Sequence, residues 1–149
     1  MIDTEQPKPK PESPSWWIAL APLVVMAIIF YLSSRSELPD LDGGRDLQNI
    51  AGHFTVYALL GASLTLLFRS MGWGVLRSLL FAVALSTLYG VTDEWHQSFV
   101  PNRNVDAKDV LVDFLGAVAG TLAMLRLIDW RAASASSDAD PSPPAGGNS

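Results

Sequence analysis

The sequence predicts an all-α fold: an integral membrane bundle of four transmembrane helices with disordered N- and C-terminal tails. Three observations predict it. Apolar residues lie in four blocks, most of them near the roughly 20 residues that carry a helix across a bilayer. Glycine, proline and charge punctuate the short connections between those blocks. Both ends of the chain are polar and proline-rich. Composition alone does not decide, because 149 residues that are 49% hydrophobic and 17% charged would also suit a soluble domain. That length has room for one domain. There is no cysteine, which excludes disulfides, thiolate nucleophiles and cysteine-based zinc sites. The net charge of -5 comes without any basic run, so nucleic acid is not an expected partner.

The elements follow in order. Residues 1–15 carry alternating Pro7, Pro9 and Pro11 and, after Met1 and Ile2, no apolar side chains that could build a core, which predicts a disordered tail. The membrane domain covers 16–130. Its first block is Trp16 to Leu32, with Pro22 tolerable near the start of a membrane helix. Acids mix with the lysines before this block, and SSRSELPD after it offers no alanine-x-alanine cleavage site. A retained anchor is therefore expected rather than a cleaved signal. Ser33 to Leu47 is a loop broken by Pro39, Gly43 and Gly44. The second block, Asn49 to Phe68, carries His53 about one turn inside its start, and small Gly61, Ala62 and Ser63. Arg69 to Arg77 forms a turn.

The third block, Ser78 to Val91, is too short to span by itself. To cross, it must draw Thr92 to Gln97 into the membrane interface, which places Asp93, Glu94, His96 and Gln97 at the membrane end of a helix. Phe99 to Lys108 is a loop with Pro101 and Asn102 as turn residues. Asp106 is a plausible N-cap, with Asp109 at the third position favoured by the helix dipole. The fourth block, Val110 to Ile128, has Asp113 about one turn in. Gly116 and Gly120 form a GxxxG packing face for another helix, which leaves a homo-oligomer through that face open. Residues 131–149 are low-complexity and expected to be disordered.

Four spans put both termini on one side. Lys8, Lys10, Arg69, Arg77, Arg126 and Arg131 fall there, against Arg35, Arg45, Arg103 and Lys108 on the other. Trp16, Trp17, Trp73 and Trp130 also belong to the first side. Basic residues near span ends and an aromatic belt point to cytoplasmic termini. His53, Glu94, His96 and Asp113 then share the outer membrane face, where antiparallel neighbours could gather them in one polar pocket.

Ionisable residues in membrane segments are costly and mark functional sites. On a helix, Asp93 shares a face with Gln97 and with His96, and Glu94 lies about 100° away. Asp106, Asp109 and Asp113 form an acidic stripe whose nearest counter-charge is Arg103. Read as chemistry, His53 and His96 are acid–base groups. Glu94 or Asp93 would orient a histidine or act as base. Arg103, with Arg45, would hold an anionic group such as phosphate. Read as structure, the same charges simply fasten a small bundle. Histidine with an acid suits metal chemistry, but the spacing matches no metal motif, and neither metal nor cofactor is expected. No GxSxG occurs. Tyr57 reads as interhelical packing with a hydrogen bond, and Trp95 as an interface anchor.

Three stretches carry a family resemblance. They are FYLSSRSELP after the first block, GHFTVYALLG from Gly52 to Gly61, and DEWHQSFVPNRNVDAKDVLVDFLGAVAG from Asp93 to Gly120. They resemble the F-x-x-S-S, HF-x-x-Y-x-x-L-G and DE-x-x-Q-x-F-x-P-x-R motifs of the VanZ-like family, the last followed by D-V-x-x-(N/D)-x-x-G. The chain departs at Asn49-Ile50, where the family often carries Asp-Lys. By match, the signature residues are His53, Asp93 and Glu94, the catalytic candidates, and Tyr57, Gln97, Arg103, Asp109 and Asp113, the binding candidates. His96 is not a signature position. The resemblance implies a small multi-pass protein of the cell envelope, whose namesake is associated with low-level resistance to teicoplanin, a lipid-tailed glycopeptide. Two functions stay open. One is binding or modifying an anionic lipid or lipid-linked envelope intermediate. The other is a non-enzymatic scaffold or accessory subunit.

Overall fold

A computed structural model describes residues 16–36, 45–103 and 106–139. The expected disorder of 1–15 and 140–149, and most of the first loop, lie outside the described residues. A short 3-10 turn, Trp16–Ala19, leads into α1, Leu20–Ser33. Then come α2, Arg45–Ser70, α3, Val75–Gln97, and α4, Ala107–Ala139. Four helical segments are long and apolar enough to cross a membrane: Trp16–Ser33, Leu47–Ser70, Val75–Gln97 and Ala107–Ser137. The chain is an all-α membrane bundle. As the length argument requires, α3 continues through Thr92 to Gln97.

Two boundaries differ from expectation. Helix α2 begins at Arg45 rather than Asn49, so His53 sits about two turns inside it. Helix α4 continues past Trp130 to Ala139, so the first part of the tail expected to be disordered is helical. Alanine is the best helix former, and that segment holds three alanines before its end, with no proline until Pro141.

Consecutive helices run antiparallel, yet the closest pair, α2 and α4, is parallel. A Cβ on Gly120 would lie 1.8 Å from the Ala58 carbonyl oxygen, and one on Gly116 would lie 2.4 Å from that of Phe54. On the facing helix, a Cβ on Gly61 would lie 2.4 Å from the Ala117 carbonyl oxygen. The two backbones therefore touch, and only glycine fits at these positions. The spacing of Gly116 and Gly120 predicts a packing face for another helix. That face is already filled by α2 of the same chain.

The interior is built from small and weakly polar residues. Helix α3 buries Ser78, Ala82, Ser86 and Gly90 at four-residue intervals. Thr65 of α2 donates to the Gly61 carbonyl at 2.7 Å, and its hydroxyl oxygen lies 3.2 Å from that of Thr121 of α4. Large side chains such as Leu23, Leu59, Leu76 and Leu88 point outward and are more than half exposed. Water would penalise so much exposed apolar surface. Lipid does not, and close packing of small residues is what associates helices there.

At the end of the bundle opposite His53, α2 closes in a Schellman turn. Gly72 has φ +80°, the left-handed region that glycine enters without strain. The Trp73 amide donates to Phe68 O at 3.1 Å and the Gly72 amide to Arg69 O at 3.0 Å. The accompanying apolar contact is a stack of Trp73 on Phe68, with centroids 4.6 Å apart. Arg77 covers the other part of this cap, 3.9 Å from the Trp73 ring centroid.

Gly120→Ala should separate α2 from α4, whereas Gly52→Ala, where a Cβ meets nothing within 4 Å, should not. Thermal unfolding in detergent should show a loss of about 1–3 kcal/mol or more for the first. The second should show no loss, and up to about 1 kcal/mol of gain from helix propensity.

Candidate functional site

The buried face of each of three helices turns from small or apolar to polar toward the same end of the bundle. On α2 the face reads Leu64, Leu60, Tyr57, His53, Asn49. On α3 it reads Ser86, Gly90, Asp93 with Glu94, Gln97. On α4 it reads Gly120, Gly116, Asp113, Asp109. Asp106 precedes α4 as its N-cap, accepting from the Lys108 amide at 2.9 Å.

The parallel pair forms two rungs. His53 Nδ1 lies 2.9 Å from Asp113 Oδ1, and Asn49 Nδ2 donates to Asp109 Oδ2 at 3.1 Å. Each rung advances four residues on both helices, so the register set by the glycines also sets these contacts. Gly90 of α3 makes room for the first rung, because a Cβ there would lie 2.7 Å from Asp113 Oδ2.

Asp93 and Glu94 are adjacent in sequence but serve different neighbours, as their angular separation requires. Asp93 Oδ2 accepts from Ser33 Oγ of α1 at 2.8 Å and from Gln97 Nε2 at 3.1 Å. Glu94 Oε1 accepts from the Asp106 amide at the start of α4 at 2.6 Å. Asp93, Glu94, Asp109 and Asp113 are all buried, Asp113 to 1% exposure.

Arg103 departs from expectation. The 97–103 segment coils back through Val100 N to Gln97 O and Arg103 N to Val100 O. Asn102 turns it with φ 62°, a region asparagine tolerates. Arg103 then donates from Nε to Arg35 O and from Nη2 to Leu32 O, both at 3.0 Å. It thus holds carbonyls at and just beyond the C-terminal end of α1. Among the described residues it pairs with no carboxylate, so it is not the counter-charge of the acidic stripe.

A cavity of about 80 Å³ lies between α1, α2 and α3. Of the candidate residues, His53, Tyr57, Asp93, Gln97 and Arg103 line it, joined by Ser33 and Asn49. Its flanks are Ile29, Leu32, Gly52 and Val56. Glu94, Asp109 and Asp113 stand behind this lining. His96 is elsewhere, stacked on Phe30 at 4.7 Å and 3.1 Å from Ser34 Oγ. The expectation for the Arg45 side chain lies outside the described residues. Tyr57 packs between helices as expected, but its buried hydroxyl has no hydrogen-bond partner among the described residues, and neither do Glu94 Oε2 and Asp113 Oδ2.

Ser33 and Asn49 were not candidates by residue type. A signal existed for both: Ser33 directly follows the first apolar block within FYLSSRSELP, and Asn49 lies one turn before His53 on the same face. Chemically, Asp113 fixes the His53 ring through Nδ1 and leaves Nε2 as the nitrogen available to the cavity. A histidine held this way by a carboxylate is oriented to move protons. Among the described residues, no three or more His, Asp or Glu side chains are grouped to hold a metal ion.

Ser33→Ala should destabilise by about 1–3 kcal/mol, because it removes a donor from a buried carboxylate. Ser34→Ala, at an exposed position, should cost less than about 0.5 kcal/mol in the same detergent melt.

No curated protein matches the chain, and no solved structure matches it. The VanZ/LLP1 family model matches residues 4–128. That span takes in the first three helices, the coiled segment bearing Arg103, and every residue lining the cavity. The chain belongs to the VanZ/LLP1 family.

Proposed function

We propose that this protein resides in the cell membrane with both termini in the cytoplasm, and that its cavity lies at the outer face. There it binds the head group of a lipid or lipid-linked envelope component that carries an anionic group such as phosphate. The observation that carries this reading is the cavity itself. It joins His53, Asp93, Gln97 and Arg103 to the apolar flank of Ile29, Leu32 and Val56 within helices long enough to span a bilayer. A polar head and an apolar chain find complementary surfaces side by side in such a place. The orientation rests on the basic and tryptophan residues that favour the end bearing the termini.

The His53–Asp113 pair extends the reading from binding toward chemistry. Nε2 of His53 is the group we assign to proton transfer with the bound head, and Asp113 is its positioning residue. Linkage to teicoplanin follows as a functional consequence: a protein that holds lipid-anchored envelope components would change how a lipid-tailed glycopeptide meets the membrane. A scaffold function is the rival. Ser33 to Asp93, Arg103 to the α1 carbonyls and Asp106 to Glu94 all fasten one helix to another.

The two readings separate in one bacterial host producing the wild type, His53→Gln or Glu94→Gln. Membrane protein level and teicoplanin susceptibility are measured together, with a glycopeptide lacking the lipid tail as control. We expect protection by the wild type against teicoplanin alone, and its loss in His53→Gln present at normal level. Glu94→Gln keeps an acceptor for the Asp106 amide and should accumulate normally. Disappearance of both variants from the membrane would instead support the scaffold, since breaking a buried charged network costs about 3–5 kcal/mol.

A further inference from the structure

We infer that the cavity recognises a primary ammonium group, that of a zwitterionic aminophospholipid, with the amine beside Asp93 and Tyr57 and the phosphate at Arg103. This rests on the lipid-binding reading above and names the head group.

Charge comes first. Four carboxyl side chains, Asp93, Glu94, Asp109 and Asp113, converge at this end of the bundle, each no more than 7% exposed. Among the described residues none lies in an ion pair with lysine or arginine; the one charged partner is His53 on Asp113. Buried carboxylates call for opposite charge. Of the four, Asp93 lines the cavity, and Oδ2 takes both of its hydrogen bonds, leaving Oδ1 as an acceptor.

An independent feature points to the same place. Tyr57 is 0% exposed, lines the cavity, and has a hydroxyl without a partner among the described residues. A buried hydroxyl in that condition is unfavourable unless a ligand completes it. An ammonium supplies three donors, so it can satisfy the tyrosine oxygen and Asp93 together.

Size and surroundings narrow the class. About 80 Å³ exceeds the roughly 10–15 Å³ that one water requires, so the space admits a group of several heavy atoms. Arg103 uses Nε and Nη2 on the α1 carbonyls, which leaves Nη1 for a phosphate oxygen. Gly52 borders the cavity between the apolar Ile29, Leu32 and Val56, and a Cβ there would meet nothing within 4 Å. Acyl chains leaving along that flank stay on the bilayer side of the helices.

The test uses the purified full chain in detergent, titrated with phosphatidylethanolamine, phosphatidylcholine and phosphatidylglycerol, and read by native mass spectrometry. Phosphatidylcholine keeps the phosphate but has no N–H donors, and phosphatidylglycerol has no cation. We expect phosphatidylethanolamine to bind about tenfold tighter than either, the scale of one charge-assisted hydrogen bond. Tyr57→Phe removes only an unpartnered hydroxyl, should fold as the wild type does, and should reduce the preference several-fold. Asp93→Asn should abolish it. Equal binding of the three lipids would overturn the ammonium assignment and leave lipid binding standing. Tyr57→Phe with an unchanged preference would overturn the placement of the amine. Binding of glycerophosphoethanolamine as tight as that of the whole lipid would overturn the lipid as its source. Binding of no lipid at all would overturn both this inference and the reading beneath it.

Discussion

The contact of two bare backbones sets the geometry of everything else. Gly61, Gly116 and Gly120 let α2 and α4 approach until side chains are excluded between them. In lipid there is little hydrophobic gain from bringing helices together, so dispersion at close range has to supply the association. That requirement fixes distance and register at once. A slip of either helix would drive a carbonyl into a neighbour or open a gap. With register fixed, Asn49 meets Asp109 and His53 meets Asp113 as a consequence of spacing.

Polar groups are tolerable in this position because nearly every one has a specific acceptor or donor. Asp93 takes two donors, Glu94 takes a backbone amide, and Arg103 satisfies two carbonyls at a helix end. Exceptions fall at the site and also along the bundle, where Arg69 Nε, Ser78 Oγ and Ser86 Oγ have no partner among the described residues. Tyr57, Glu94 and Asp113 each bury an atom without a partner among the described residues. Such groups weigh against stability when nothing completes them.

Much of this was readable in the sequence, and the reasons are specific. Four apolar blocks gave the bundle, and the shortness of Ser78 to Val91 required α3 to reach Gln97, as it does. The four-residue step placed Gln97 on Asp93, and the N-cap and dipole argument placed Asp106 before α4. Pairing between helices was less legible. Antiparallel neighbours were the natural guess for a chain of short turns, and the parallel α2 and α4 pair follows from tertiary packing that no local pattern encodes. The GxxxG spacing marked a packing face but could not say which helix filled it. Arg103 looked like a counter-charge because sequence lists charges and hides carbonyls. The run of α4 past Trp130 was not legible because a serine-rich composition masked the helix propensity of its alanines.

The grip of Arg103 on α1 falls on the carbonyls of Leu32 and Arg35, atoms that every amino acid supplies. Tyr89 likewise donates to the carbonyl of Met26. Apart from Ser33 and the contacts of Phe30 and Ser34 with His96, therefore, these docking contacts read the course of the α1 main chain rather than its side chains. Over evolutionary time the lipid-facing residues of α1 can drift among apolar types without disturbing the wall of the cavity. The contacts depend instead on a single arginine that lies outside α1, and on the length of the segment that carries it.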